Sequence, residues 1–179
     1  MKKIFGVLMV ALCFMMVSVC KAAGVPLNDQ IKDTNFIRAF NECAKREQSA
    51  YQIDGNTKIF RKPQNGAYLS HFIPNTKVRV GDNLIMIKSN EKGEIYEAAV
   101  YISRSSMVKD MFGEMFILER TVGMPNGEGH SDGMYAVIDA YKSGTGSYWS
   151  EATNRRYVVQ CIGDRKIGPL GLTIKAEKL

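Results

Sequence analysis

The chain is poor in the residues on which nucleophilic and metal catalysis depend. It has two histidines, one tryptophan, five prolines and four cysteines in 179 residues. Two of those cysteines, Cys13 and Cys20, lie in the first 22 residues, which leaves Cys43 and Cys161 with no histidine nearby in sequence. That set does not suit a zinc site, which takes four clustered Cys and His ligands. There is no Gly-x-Ser-x-Gly elbow. His130-Ser131-Asp132 is not a triad, because triad members converge through space and three consecutive loop residues cannot reach that geometry. His71 lies in an apolar stretch and reads as structural. No pair of carboxylates is singled out by spacing. No cofactor or metal is expected, and no catalytic residue is assigned.

Single-sign charge is also scarce. The formal charge is +6, but removing residues 1–22 takes away Lys2, Lys3 and Lys21 and leaves 21 basic side chains against 18 acidic ones, a net +3. Charges of both signs are interspersed, without the clustered basic footprint of a nucleic-acid binder. There is no internal repeat, low-complexity tract or linker, and a chain of this length forms one domain with a real core.

The one long apolar run is at the start. Met1-Lys2-Lys3 is a basic n-region, Ile4 to Val19 is almost unbroken apolar sequence, and Cys20-Lys-Ala-Ala-Gly24 supplies small residues. This is the form of a secretory signal peptide. Residues 1–22 are therefore expected to be removed, leaving residues 23–179 as a single exported α+β domain in the periplasm or outside the cell. Two alternatives are an uncleaved anchor, for which the run is short, and a lipoprotein acylated at Cys20, for which Val19 is bulky. After cleavage no stable membrane span is expected.

In an oxidising compartment the remaining pair, Cys43 and Cys161, reads as a disulfide. It would close a loop of 118 residues, for which chain entropy sets a ceiling of about 5 kcal/mol. The alternative is two buried free thiols.

The first helix is expected from Asn28 or Asp33 to Ser49, since Phe36, Phe40, Cys43 and Ala44 share one helical face. Period-two signals and turns follow. Leu84–Ile87 and Ile95–Ile102 flank Ser89–Gly93 as a hairpin, with Leu84–Ile87 expected to be central. A shorter second helix is predicted from Met107 to about Leu118, with Val108, Phe112, Met115 and Phe116 on one face. The strongest β signals are Met134–Tyr141 and Arg156–Ile162, read as a C-terminal hairpin whose turn spans Ser143–Ser150; Leu170–Ala176 is a last strand or tail. The fold class is thus α+β: an antiparallel sheet packed by an N-terminal helix and a shorter second helix, with one disulfide.

Two segments carry binding chemistry. The glycine-rich stretch 123–133 presents Asn126, Glu128, His130 and Asp132, alternating like calcium-loop ligands. His130 falls where such a loop needs Asp or Asn, so the stretch reads as a recognition loop or a plain connection rather than a metal site. The second is the turn patch Tyr148, Trp149, Arg155 and Arg156, whose residue types dominate binding hot spots; packing of Trp149 over the sheet end is the plainer reading.

The expected function is that of an exported bacterial envelope protein, non-catalytic, that binds a protein or envelope macromolecule, as an inhibitor, immunity or surface-binding protein. One rival is a cell-wall hydrolase whose carboxylates only the fold would assemble. Another is a structural subunit of an envelope assembly with an unpaired edge strand.

Overall fold

The computed structural model describes residues 24–54, 57, 62–64, 67–72, 74–76, 84–102, 108–123, 130–166 and 169–177. The expected signal peptide lies outside them. The described residues form an α+β structure in which an antiparallel sheet carries three helices on one face. The helices are α1 (Phe36–Arg46), α2 (Val108–Gly123) and α3 (His130–Ser143). The strands are β1 (Tyr51–Ile53), β2 (Lys62–Gln64), β3 (Ala67–Phe72), β4 (Pro74–Thr76), β5 (Leu84–Ser89), β6 (Ile95–Ile102), β7 (Thr145–Ser150), β8 (Arg155–Gly163) and β9 (Leu170–Glu177).

The sheet order is β2-β3-β5-β6-β9-β8-β7, and β1 pairs separately with β4. The last strand, β9, is not a tail. It is inserted between β6 and β8, so the end of the chain closes the middle of the sheet. Matching registers build continuous inner rows: Ile85, Val100, Leu172 and Cys161 form one, and Ile87, Ala98, Ile174 and Val159 the next. Because strand side chains alternate, the intervening row faces outward. On the same outer face, one row beyond Ile87, Glu97 stands between two lysines, 2.8 Å from Lys88 and 3.1 Å from Lys175.

In α1 the four residues on the expected stripe, Phe36, Phe40, Cys43 and Ala44, are all buried. The helix packs on α2 and β1. The Asn41 side chain accepts from Ile53 N at 2.7 Å and donates to Ile53 O at 2.6 Å, fixing β1 against the helix.

Three expectations are corrected. The second helix is not the shorter one: α2 has 16 residues and α1 has 11. Met134–Tyr141 is not a strand but part of a third helix, and the supposed turn Ser143–Ser150 holds strand β7. Ala136, Val137 and Ala140 are buried while Tyr135 and Asp139 are exposed, which is a helical period. A short run that is apolar on both parities satisfies either period. The real hairpin is β7–β8, with its turn at residues 151–154. Gly146 lets α3 lie against β7, since a Cβ there would stand 2.1 Å from Ala136 O.

The third correction is the disulfide. Cys43 and Cys161 are both free. Cys161 does face the core side of β8, but the helix over that end of the sheet is α3, whereas α1 packs on the far flank of α2. The Cys43 thiol points at α2, 3.7 Å from Ile117 O.

No helix among the described residues is long and apolar enough to cross a membrane.

Candidate functional site

Helix α2 carries more apolar side chains than one face can hold. Met111, Met115, Leu118 and Val122 are buried in the core. A second stripe, Val108, Phe112 and Phe116, is turned to the side at helical spacing and remains only half-buried. Helix α3 turns its small residues, Ala136 and Ala140, inward and leaves Met134 50% and Tyr135 64% exposed. Where the two helices meet, Phe112, Phe116, Met134, Val137 and Ile138 line a groove of about 280 Å³. All five lining residues are apolar.

The groove has distinct ends. At one, Tyr141 meets Phe112 edge-on, with ring centroids 5.1 Å apart. The Arg165 guanidinium lies 5.7 Å from the Tyr141 ring centroid and donates to Lys142 O at 2.7 Å. Lys109, one turn before Phe112, and Lys142 are exposed beside it. This end therefore carries three cations; Asp139 is the exposed acid nearest in sequence to the groove-lining residues. At the other end the Arg120 guanidinium lies 5.2 Å from the Phe116 ring centroid.

Beneath the groove, the end of α2 is held by a buried polar cluster. Val122 O accepts from Asn28 Nδ2 at 3.0 Å and lies 3.3 Å from the Tyr157 hydroxyl, and Gly123 O accepts from Ser150 Oγ at 2.6 Å. These side chains satisfy carbonyls that a helix end leaves without intrahelical partners. The Tyr157 hydroxyl also lies against Leu27 O and is 2.9 Å from Thr153 Oγ1. The Tyr157 ring stacks on Tyr148 at 5.1 Å. Burial pushes the Tyr157 phenol up to about 12.

Glu119 is the unusual member. It is fully buried under α3, and its Oε1 would stand 2.2 Å from a Cβ at Gly133, so glycine is what makes room for it. Among the described residues neither Glu119 Oε1 nor the Tyr148 hydroxyl that faces it closes a hydrogen bond of good geometry. Burial raises the Glu119 carboxyl from its ordinary 4.5 to about 7, partly offset by the Tyr148 hydroxyl and the Arg120 charge. Tyr148 is raised well above the usual phenol range, first by burial and then by the Glu119 charge.

The residues expected to bind are dispersed. Asn126 and Glu128 lie outside the described residues. His130 opens α3, and Asp132 is exposed in its first turn. The turn patch is split by strand alternation. Tyr148 points into the core, while Trp149 and Arg156 are register partners on the outer face of the sheet, where Arg156 donates to Ser147 Oγ at 3.1 Å. Arg155 pairs with Asp29 at 2.6 Å. The groove residues are not singled out by the sequence, because Phe112 and Phe116 fit a core face of the helix and Met134–Ile138 fits a strand. The available signal was the doubled apolar stripe of α2. Among the described residues no three His, Cys, Asp or Glu side chains are grouped to hold a metal.

Comparison with family models, curated proteins and solved structures gives no match.

Proposed function

We propose that this is an exported envelope protein that acts by binding another protein, and that the α2–α3 groove receives an amphipathic segment of that partner. The observation that carries the reading is the groove itself: five apolar walls open to solvent, with Met134 and Tyr135 standing half-exposed beside it. Completing the burial of one such side chain stabilises a complex by about 1 kcal/mol. Two or three large apolar side chains on one face of a helix or strand fit such a groove, as in helix-in-groove recognition. Lys109, Lys142 and Arg165 at one end favour a segment with acidic residues toward that end, which sets its direction. Inhibitor, immunity and surface-binding roles all fit this mode. The exported location rests on the leader of residues 1–22.

The test is capture from envelope extract with the full chain, followed by mapping of the captured segment. Met134→Asp and Ile138→Asp should abolish capture while leaving the melting temperature nearly unchanged, and Trp149→Ala on the far face should have no effect. The mapped segment should be amphipathic with acidic residues at one end, and capture should weaken as salt rises. Capture that survives both aspartate variants would rule the groove out. A sedimentation result showing a dimer abolished by the same variants would assign the groove to a second copy of the chain instead.

A further inference from the structure

Strand β7 closes one end of the sheet and, among the described residues, pairs only with β8. Its sequence, Thr-Gly-Ser-Tyr-Trp-Ser, has no charge, no proline and no break in register. Charge, proline, bulges and short length are what keep a sheet edge from accepting another strand. The opposite end of the described sheet has such guards: β2 is three residues long and holds Lys62 and Pro63. The edge of β7 has none of them.

The register fixes which main-chain groups lie along that edge. Cys161 N donates to Gly144 O at 2.9 Å, so Gly144 and Cys161 form a hydrogen-bonded pair. Antiparallel pairs alternate between bonded and non-bonded. Thr145, Ser147 and Trp149, opposite Gln160, Val158 and Arg156, hold the non-bonded positions, and their N–H and C=O groups point away from β8. All three residues are exposed. Ser143 Oγ donates to Thr145 O at 3.0 Å, which makes Ser147 and Trp149 the centre of the open edge.

Helix α3 sets what can lie there. Ala136 rests on Gly146, so the helix runs directly over β7. Met134 and Ile138 turn toward α2. Tyr135 and Asp139, one turn apart, stand on the other flank, above the open edge; both are exposed and neither lines the groove. Asp132 shares this flank and is already engaged, and Lys142 is turned farther from the sheet. A strand added to β7 passes beneath Tyr135 and Asp139. A lysine or arginine on its inward side meets the Asp139 carboxylate and the Tyr135 ring together. Two copies joined β7 to β7 would bring their α3 helices within about 5 Å, one strand spacing, where packed helices need about 8–10 Å. A single extended segment fits and a second copy does not.

We propose that the β7 edge accepts an extended segment of another protein as an added strand, with a lysine or arginine of that segment held between Tyr135 and Asp139. Main-chain bonds supply the affinity and the inward cation the selectivity, as in β-strand addition. This surface is separate from the α2–α3 groove and stands whether or not the groove is occupied.

The probe is the acetylated and amidated heptapeptide Thr-Val-Thr-Lys-Thr-Val-Thr, titrated into the full chain while NMR follows exchange of the Ser147 and Trp149 amides. Saturable binding is expected, with those two amides slowed about tenfold or more. Methylating the peptide nitrogens along one of its edges should abolish binding, and along the other should leave it intact. Ser147→Pro should also abolish it with little change in melting temperature, because an edge proline whose nitrogen faces solvent takes no bond from the ladder; the methylated pair decides the matter should that variant unfold. Glutamate in place of the peptide lysine should weaken binding several-fold, and Asp139→Lys should reverse that preference. Ile138→Asp in the groove should change nothing. No saturable binding, equal behaviour of the two methylated peptides, or saturation that leaves both amides exchanging as before would overturn the proposal. So would a dimer that Ser147→Pro dissociates, which would give the edge to a second copy.

Discussion

Replacing Glu119 with Gln tests the buried cluster at the end of α2. The carboxyl is raised from its ordinary 4.5 to about 7 in the folded protein, chiefly by burial. The unfolded chain therefore ionises at lower pH than the folded one. Below pH 4.5 both states hold the proton and Glu119 imposes no penalty. As pH rises through the interval between 4.5 and 7 the unfolded state releases its proton first, so stability falls, and above the folded value the loss is complete. A shift of this size corresponds to about 3 kcal/mol in total, of which roughly 2.5 kcal/mol falls between pH 5 and pH 8. With a urea m-value of about 2 kcal/mol/M, the unfolding midpoint should drop by roughly 1 M over that range from this group alone. Glutamine has nearly the same shape and no charge to desolvate. Glu119→Gln should therefore flatten the pH dependence by that amount, and the variant should be the more stable protein at pH 8. Urea titrations of both proteins at pH 5 and pH 8 give the difference directly, with other titrating groups cancelling between them. Parallel curves, or a variant less stable at pH 8, would show that the carboxylate is solvated and that the packing of Gly133 over it is wrong.

Two further outcomes follow from the same packing. Tyr157→Phe removes the hydroxyl that meets Leu27 O, Val122 O and Thr153 Oγ1, and because those carbonyls stay buried the loss should be about 1–3 kcal/mol, read as a lower urea midpoint with unchanged m. Alkylation and mass spectrometry under non-reducing conditions should find two free thiols, with half-buried Cys161 labelled well before Cys43, which is 2% exposed and raised by burial; a Cys43–Cys161 crosslink would require α1 to lie over β8 rather than beyond α2.

Parts of the fold that depend on neighbours in sequence were legible. The stripe Phe36, Phe40, Cys43 and Ala44 identified α1 and its buried face, because helical period is a local property. The β5–β6 hairpin was equally plain from two apolar runs around Ser89–Gly93. The run Met134–Tyr141 was not, since apolar residues on both parities fit a strand or a helix and the choice fell to packing against β7. Of the anticipated binding residues, Tyr148 and Trp149 are adjacent in sequence yet lie on opposite faces of the sheet, one in the core and one in solvent. Glu119 would pass in sequence for a surface acid of an amphipathic helix.

By itself, then, the chain's sequence determined the α+β class, the buried face of α1 and the β5–β6 hairpin, because periodicity and turn chemistry act over a few residues. Only the tertiary structure decided that β9 closes the middle of the sheet, that α2 is covered by α1, the sheet and α3 so that Glu119 is buried, and that Cys43 and Cys161 face different helices. Each of those outcomes depends on contacts between residues tens of positions apart. Their energies are set by which surfaces remain to be covered once the local elements have formed, and no single stretch of sequence carries that information.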